Sequence, residues 1–502
     1  MNVIETPQSR VRAGVAWRDI TPPVGIYHRM WGAALHDRST GVHRPLEAAL
    51  LWIAPEGVSD ERSRRGEGSA VADDVGTADA RLIVTLDHCI LDRAESDAIR
   101  AAIAARTGLL PQAILVALSH THGSGWMSRT RAEYPGGELI GPYLDRLIAE
   151  LADAADEARR AAVSARIVYG LGRCDLAAYR DRFDTERGHP VCGFDPTGPA
   201  DDTLVVARVD TADGTPLATI VNYACHPTTL AWDNTLLSPD WAGAMRQTIR
   251  RDRDVPCLFL QGASGELGPR DGFVGDVAVA DRNGRRVGHA AAAVLESMPA
   301  AETRFEYAGA VLSGTWIGTW AHRPIDERRR SAAGVWNWRD VTIDVPYRED
   351  LPTIDETERR RAEWAEAERR AAASGDEREV RRCRAEGEQM TRQLARLRAL
   401  APGSTCPITV SIGRVGDALW IFLPGEFYQK LQLELRRRLS PHPVLITTLT
   451  GDWQPGYFPV AEAWGKGIYQ EVIAVVACGS LEQVLERTTI EALRLVETEE
   501  RC

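Results

Sequence analysis

Short runs of apolar, often β-branched residues recur along the chain, and each run ends abruptly in polar or small residues. These runs cover residues 82–86, 114–118, 217–221, 257–260, 419–423 and 444–449. Runs that are apolar throughout are typical of strands buried on both faces, as in parallel sheets covered by helices. We therefore expect a sheet at the centre of the protein.

Helical patterns follow several of these strands. Residues 95–107 end at Gly108, residues 241–253 carry an apolar stripe, and residues 427–439 end in an arginine cluster suited to a helix C-terminus. Turn signals at Asp213-Gly214 and Gly416-Asp417 predict two antiparallel hairpins. The alternation predicts an α/β fold, with a mixed, largely parallel sheet flanked by helices, in a single domain over residues 1–502.

Two segments are expected to lie at the periphery. Residues 55–80 are rich in Gly, Ser, Asp and Arg, which is typical of a solvated loop. Residues 355–400 are highly charged and favour helix, with a break at Ser374-Gly375, so they predict a helical hairpin inserted into the domain. We expect a solvated arm there, and the alternative is a contact that forms a homo-oligomer or binds another partner.

Composition and charge narrow the classes of function. The 502 residues include 60 Lys plus Arg against 71 Asp plus Glu, a formal charge of -11, which disfavours a nucleic-acid partner. No run approaches the roughly 20 apolar residues of a transmembrane segment, and the N-terminus lacks the pattern of a secretory signal. The nine cysteines have no Cys-x-x-Cys spacing. We predict a cytoplasmic protein without a disulfide framework.

Histidines at two strand ends form the first candidate site. His120 and His122 are two residues apart where a strand ends, so their side chains point to the same side. His226 follows another predicted strand, and Glu426 follows a third. Three protein ligands and an open position are typical of catalytic zinc. Each residue also has an ordinary structural alternative: a loop histidine that forms hydrogen bonds, or a glutamate that stabilises a helix N-terminus.

Other polar and aromatic residues lie next to these motifs. Asp87, Asp240 and Glu266 also follow predicted strands. Four tryptophans are candidates for the lining of an apolar substrate cleft, with core packing as the alternative: Trp126, Trp232, Trp241 and Trp453. We assign substrate binding to Trp126, Asp240 and Trp453.

A resemblance to a known family arises from six segments taken together. They are residues 13–23, 120–122, 222–227, 261–269, 424–427 and 451–469. In these segments, and in their order, the chain resembles the neutral or alkaline non-lysosomal ceramidase family, and more closely its shorter bacterial relatives. The resemblance covers nearly the whole chain, and it implies a bacterial enzyme of lipid metabolism.

The resemblance implies a site and a reaction. One zinc ion per chain would be held by His120, His226, Glu426 and Tyr457. His122 and Arg180 would be the catalytic residues beside the reacting carbonyl and the substrate. The implied activity is that of a zinc-dependent amidohydrolase that uses metal-activated water. It would cleave an amide (N-acyl) or ester bond in a small-molecule or lipid-like, partly apolar substrate.

Two departures from the family pattern keep other functions open. Gly268 stands where the ceramidases have a serine implicated in catalysis, and Tyr179 stands where relatives usually have Asn. The alternative is therefore a catalytically silent, metal-binding family member that acts as a scaffold through residues 355–400. A third hypothesis is a two-metal phosphatase or nuclease that uses Asp87 and Asp240.

Overall fold

The computed structural model describes residues 4–57 and 79–497. The predicted loop over residues 55–80 lies mostly outside these described residues. The strands are β1 Gln8–Asp19, β2 Gly41–Val42, β3 Glu47–Pro55, β4 Arg81–Leu86, β5 Ile114–Leu118, β6 Val163–Arg173, β7 Ala177–Tyr179, β8 Asp181–Asp184, β9 His189–Cys192, β10 Thr203–Thr211, β11 Pro216–Tyr223, β12 Leu236–Leu237, β13 Cys257–Gln261, β14 Leu267–Pro269, β15 Thr303–Ser313, β16 Thr315–Pro324, β17 Trp336–Pro346, β18 Thr405–Val415, β19 Ala418–Phe422, β20 Glu426–Phe427, β21 Val444–Thr447 and β22 Tyr457–Phe458.

Helices alternate with many of these strands along the chain. They are α1 Arg93–Thr107, α2 Ile140–Arg160, α3 Trp241–Arg250, α4 Val277–Ser297, α5 Glu327–Ala333, α6 Ile354–Ser374, α7 Glu377–Ala399, α8 Lys430–Arg438, α9 Tyr469–Ile473 and α10 Ser480–Glu497. The helix predicted to close on Gly108 does so, because this glycine adopts the left-handed conformation with φ 80°. The α/β class is therefore confirmed.

The central sheet is mixed, but the prediction that it is largely parallel is wrong. Its order is β13-β11-β10-β6-β1-β3-β4-β5. Only the outer pairs β11–β13 and β4–β5 are parallel, and the five pairs between them are antiparallel. A second sheet, β17-β18-β19-β21, is antiparallel except for β19–β21. The predicted hairpins at Asp213-Gly214 and Gly416-Asp417 are confirmed as β10–β11 and β18–β19.

The strands of the large sheet are apolar throughout because both faces of the sheet are buried, and not because the strands are parallel. In β3, Leu50 and Trp52 belong to a core cluster that includes residues of α1 and α2. Leu51 and Ile53, on the opposite face, pack in a cluster with residues of the second sheet. A strand between a helical layer and another sheet is apolar at every position, whatever its direction.

The packing therefore has four layers. Helices α1, α2, α3 and α4 cover the outer face of the large sheet, and its inner face packs on the second sheet. Helices α8 and α10 cover the outer face of the second sheet. Two sheets packed face to face in this way bury two sets of alternating side chains in one core.

The predicted helical hairpin is present as α6 and α7, but the expectation of a solvated arm is wrong for α7. One stripe of α7 is buried, and it includes Cys383, Met390, Leu394 and Leu397. A side chain at Gly32 would place its Cβ 3.0 Å from the backbone of Ala385, so α7 packs closely on the loop after β1. Helix α6 remains largely exposed. The apolar stripe of α7 docks it onto the body of the protein.

Two other expectations concern the class of protein. Over the described ranges, no helix has the length and apolar character needed to cross a membrane. The eight cysteines within those ranges are free thiols.

Candidate metal and substrate site

The candidate ligands lie at strand ends that the tertiary structure brings together. His120 follows β5, His226 follows β11, and Glu426 begins β20 just after β19. The segment after β21 joins the two edges of the large sheet: the amide of Thr448 donates to the Gln261 carbonyl of β13, and the amide of Gly451 donates to the Val116 carbonyl of β5. The ends of β5, β11 and β13 therefore surround one site.

Backbone carbonyls fix the tautomers of both candidate histidine ligands. His120 Nδ1 lies 2.7 Å from the Cys89 carbonyl, and His226 Nδ1 lies 2.7 Å from the Ser264 carbonyl. Because a carbonyl oxygen only accepts, each Nδ1 must donate, and the lone pair is left on Nε2. The backbone of His120 is in the left-handed region, with φ 65°. Two nitrogen lone pairs therefore point into the site.

Glu426 completes a cluster that fits a cation. One carboxylate oxygen, Oε2, lies 2.9 Å from His226 Nε2 and 3.3 Å from His120 Nε2. The ligand atoms of these three buried residues all lie within 4.8 Å of one another. Burial opposes a charged carboxylate, but His120 and His226 outweigh burial and hold the pKa of Glu426 well below its ordinary value. Two lone pairs and a carboxylate at these distances repel one another unless a positive charge lies between them.

The two imidazoles respond differently to this environment. Burial and Arg180 lower the pKa of His226 to about 4, so its ring stays neutral. Burial also disfavours a charge on His120, but Cys89 and Glu426 outweigh burial and raise the pKa of His120 well above its ordinary value. The cluster therefore favours one positive charge, which a metal ion would supply.

Tyr457 and Arg180 lie beside the cluster. Strand β22 pairs with β20 so that Tyr457 is directly opposite Glu426. Arg180 Nη2 lies 3.3 Å from both Tyr457 Oη and His226 Nε2, and it donates to the Gly265 carbonyl at 2.7 Å. Burial and Glu426 hold the pKa of Tyr457 well above its ordinary value. Its hydroxyl therefore keeps its proton unless a cation is bound next to it.

His122 lies beside the cluster and forms no side-chain hydrogen bond with a described residue. Neither ring nitrogen has a hydrogen-bond partner among the described residues. The ring packs against Trp31, with 4.8 Å between the ring centroids. Burial, and then His120 and His226, lower the pKa of His122 well below its ordinary value. His122 is thus a neutral imidazole with both nitrogens available.

A cavity of about 420 Å³ opens above the cluster, and the residues next to the cluster that line it are His122, Arg180 and Tyr457 rather than the three candidate ligands. Its lining combines aromatic side chains with a few polar ones and with part of α7. The lining residues are Met30, Trp31, Gly32, His122, Arg180, Cys192, Trp232, Phe273, Ala385, Glu388, Gln389, Arg392, Tyr457, Tyr469 and Ile473. An apolar cavity with a few polar groups is the usual form of a small-molecule site.

The three predicted substrate-binding residues lie elsewhere. Trp126 and Trp453 are buried and pack edge to face, with 5.3 Å between their ring centroids. Asp240 caps α3, accepts from the amides of Leu230 and Trp241, and is fully buried. None of the three lines the cavity above the cluster, and their role in substrate binding stays a prediction. Of the other tryptophans, Trp232 lines the cavity and Trp241 packs in the core.

The remaining strand-end carboxylates have structural partners. Asp87 is buried and pairs with both Nη atoms of Arg246. Glu266 accepts from the amide of Gln429 at 3.0 Å. Neither belongs to the His120, His226 and Glu426 cluster. Asp87 and Asp240, the two carboxylates of the two-metal hypothesis, therefore both have structural partners.

Gly268 lies next to the cluster, where a side chain would have room. A Cβ at this position would be 3.6 Å from Thr228 Oγ1 and 3.7 Å from Arg180 Cδ, which is ordinary contact. The absence of a serine side chain here therefore has no steric cause.

Several residues of the cavity are not among the candidates that the sequence pattern predicts. Trp31, Phe273 and Tyr469 lie outside the strand ends, so no local pattern identified them. Arg392 and Glu388 lie on α7, whose buried stripe recurs at helical spacing and could have indicated a packed helix. The high charge of residues 355–400 obscured that stripe.

Comparisons with known proteins indicate the fold. No protein-family model and no curated protein sequence matches the chain. Solved structures do match it, among them two ceramidases. The neutral ceramidase from Pseudomonas aeruginosa matches with a TM-score of 0.61 and 13% identity, over 99% of this chain and 75% of the other. A ceramidase complexed with C2 matches with a TM-score of 0.61 and 14% identity, over 99% and 76%. The resemblance predicted from the motifs is confirmed at the level of the fold.

Proposed function

We propose that this protein is a zinc-dependent hydrolase that cleaves an amide (N-acyl) or ester bond in a partly apolar, lipid-like substrate. The observation that carries the proposal is the convergence of two imidazole lone pairs and the Glu426 carboxylate next to an aromatic cavity that His122, Arg180 and Tyr457 line. The fold similarity to neutral ceramidases supports it. We also propose a cytoplasmic location and a single catalytic domain.

The donor set suits zinc. His120 and His226 would bind through Nε2, Glu426 through a carboxylate oxygen, and Tyr457 through its phenol oxygen. When bound, zinc polarises a carbonyl and lowers the pKa of a water ligand to about 7. The Cys89 and Ser264 carbonyls keep both histidines in the required tautomer, as the outer partners of zinc ligands commonly do.

The residues around the cluster have separate tasks in the reaction. Water adds its oxygen to the acyl carbon, the C–N or C–O bond breaks, and the leaving group departs after it receives a proton. Arg180 donates hydrogen bonds beside the cluster and would stabilise the negative charge that develops on the acyl oxygen. His122, neutral and with both ring nitrogens free, can accept and return the proton. Trp31, Trp232 and Phe273 would hold the acyl chain.

Metal content and turnover test the proposal together. We expect about one zinc per chain in the parent protein by elemental mass spectrometry and little in His226→Ala. Treatment with a chelator should abolish hydrolysis of an N-acyl amide, and added zinc should restore it. His289→Ala is the control, because His289 is exposed on α4 and remote from the cluster in sequence. Hydrolysis that is unchanged in metal-free His226→Ala would contradict the proposal.

Gly268 favours one second candidate, a binding or scaffold protein that keeps the metal cluster without turnover. The two candidates differ in one measurement, because a scaffold binds zinc but does not hydrolyse N-acyl amides or esters. The structure has room for a serine at position 268. If the missing serine hydroxyl is the reason for the lack of turnover, Gly268→Ser should produce measurable hydrolysis in a parent protein that has none. The two-metal hypothesis has no such support, because Asp87 and Asp240 are engaged in structural contacts.

A further inference from the structure

The cavity above the cluster has two chemically different walls. One is aromatic and includes Trp31, Trp232 and Phe273. The other carries guanidinium groups, from Arg180 beside the cluster and Arg392 on α7. Among the described residues that line the cavity, Glu388 is the single carboxylate. The net charge of this wall therefore depends on how many arginines the Glu388 carboxylate pairs with.

Glu388 does not neutralise Arg392 alone. Its carboxylate accepts from Arg131 through two bonds of 3.1 Å, from Arg29 at 3.4 Å and from Arg392 Nε at 3.0 Å. One carboxylate thus forms ion pairs with three guanidinium groups. Asp37, the other acid beside this group, lies 3.6 Å from Arg29 and is itself shared with Arg384.

Two more buried guanidiniums, Arg180 in the lining and Arg396 outside it, add positive charge, and the Glu426 carboxylate offsets part of it for both. Arg180 contacts a carbonyl, His226 and Tyr457, and Arg396 donates to the Gln393 side chain at 2.9 Å. Neither forms an ion pair with a carboxylate among the residues that the structure describes, and the Nε of each lacks a partner there. Burial, together with Arg392, lowers the pKa of Arg396 to about 10. Asp181, next to Arg180 in sequence, accepts from Tyr428 and Gln470 and does not line the cavity.

Arg392 has one group left for a ligand. Its Nε donates to Glu388 and its Nη2 donates to the Met30 carbonyl, while Nη1 has no acceptor within the described ranges. Gln389, on the same wall, also makes no hydrogen bond with a described residue. A buried excess of positive charge attracts anions, and a guanidinium suits a carboxylate in particular.

We propose that the cavity selects substrates whose polar part carries a negative charge, in the simplest case the carboxylate of an N-acyl amino acid, and that Arg392 contacts this group. The aromatic wall would hold the acyl chain. The inference rests on the proposed function, because it names the substrate class of the same site. It also predicts binding that can be measured without turnover.

Two probes of nearly equal size isolate the charge. N-dodecanoylglycine carries a carboxylate, and N-dodecanoylglycinamide carries a neutral amide in its place. Calorimetry on the zinc-loaded full chain should show tighter binding of the anionic probe by about ten-fold to a hundred-fold, the usual range for a hydrogen bond to a charged group. The ratio of the two kcat/KM values should favour the same probe.

Three variants of α7 test the contact. Arg392→Gln should reduce the ratio of the two affinities about ten-fold, and Arg392→Lys should retain part of it. Gln389→Glu adds a negative charge to the same wall without breaking the Glu388 network, so it should reduce the ratio even if Arg392→Gln folds poorly. Arg381→Gln, on the exposed side of α7, is the control and should keep the ratio of the parent protein.

The outcomes separate this inference from the proposed function. Equal affinities in the parent protein overturn it, as does a preference for the anion that survives both Arg392→Gln and Gln389→Glu. If neither probe is hydrolysed but the anion still binds more tightly, the hydrolase proposal fails and this inference stands. If both probes are hydrolysed and bound equally, the hydrolase proposal stands and this inference fails.

Discussion

A single change of charge tests what holds α7 against the body of the protein. Glu388→Gln keeps the shape of the side chain and removes its charge. Arg131, whose side chain is 2% exposed, and its neighbours Arg29 and Arg392 would then lose their shared counter-charge. Removal of one partner from a buried ion cluster leaves uncompensated charges and is strongly destabilising.

The pKa of Glu388 gives the magnitude. Burial alone would raise it, but Arg131, Arg392 and Arg29 outweigh burial and lower it from 4.5 to about 2. At about 1.4 kcal/mol per pKa unit, this corresponds to about 3 kcal/mol. Broken buried pairs typically lose about 3–5 kcal/mol. We therefore expect Glu388→Gln to lower the free energy of unfolding by about 3 kcal/mol at pH 7.

The pH dependence follows from the sign of the shift. The folded-state pKa is lower than the unfolded-state pKa, so the carboxylate stabilises the fold at pH values above about 4.5. This contribution is lost as the pH falls towards 2. The difference in unfolding free energy between the parent and Glu388→Gln should therefore be constant from pH 6 to 8 and shrink below pH 4.5.

Denaturant unfolding followed by tryptophan fluorescence measures this difference, and hydrogen exchange locates it. Amides of α7 should exchange faster in Glu388→Gln than in the parent. Glu363→Gln is the matched control, because Glu363 is exposed on α6 and, within the described part of the chain, pairs only with the exposed Arg359 at 3.3 Å. An unfolding midpoint in Glu388→Gln equal to that of the parent, with unchanged exchange in α7, would refute the assigned role of the cluster.

Three other variants test packing and burial. Gly284→Ala should destabilise the protein by about 1–3 kcal/mol or prevent folding, because its Cβ would lie 2.1 Å from the Trp241 carbonyl oxygen. Gly387→Ala should be neutral or stabilise by up to about 1 kcal/mol, because its Cβ would lie 3.8 Å from Trp364. Thermal unfolding compares the two, and equal effects would contradict this reasoning. Burial raises the pKa of Asp240 to about 6, so the stability of the parent relative to Asp240→Asn should fall by up to about 3 kcal/mol from pH 4 to 7. If the unfolding free energy of the parent relative to Asp240→Asn does not fall over this pH range, the pKa of Asp240 is not raised.

Local patterns in the sequence determined the strands and the position of the candidate ligands along them. An apolar run followed by polar residues specifies a buried strand and its end without reference to the rest of the chain. The amino-acid pattern alone therefore assigns His120, His226 and Glu426 to three strand ends. The positions of the two hairpins were also predictable, because turn chemistry is local.

The directions of the strands were decided by tertiary structure. Leu50 and Trp52 contact helices while Leu51 and Ile53 contact the second sheet, and both environments require apolar residues. A sequence does not distinguish a strand covered by two helical layers from one covered by a helical layer and a sheet. The inference of a largely parallel sheet failed for this reason.

The assembly of the site also depended on contacts that are remote in sequence. The segment after β21 links β5 to β13, and α7 reaches the cavity through Glu388 and Arg392. The rule that carboxyl ends meet at one edge applies to parallel strands, but five antiparallel pairs lie between β5 and β11. Only the folded arrangement of both sheets brings their ends together, because each local segment is compatible with many such arrangements.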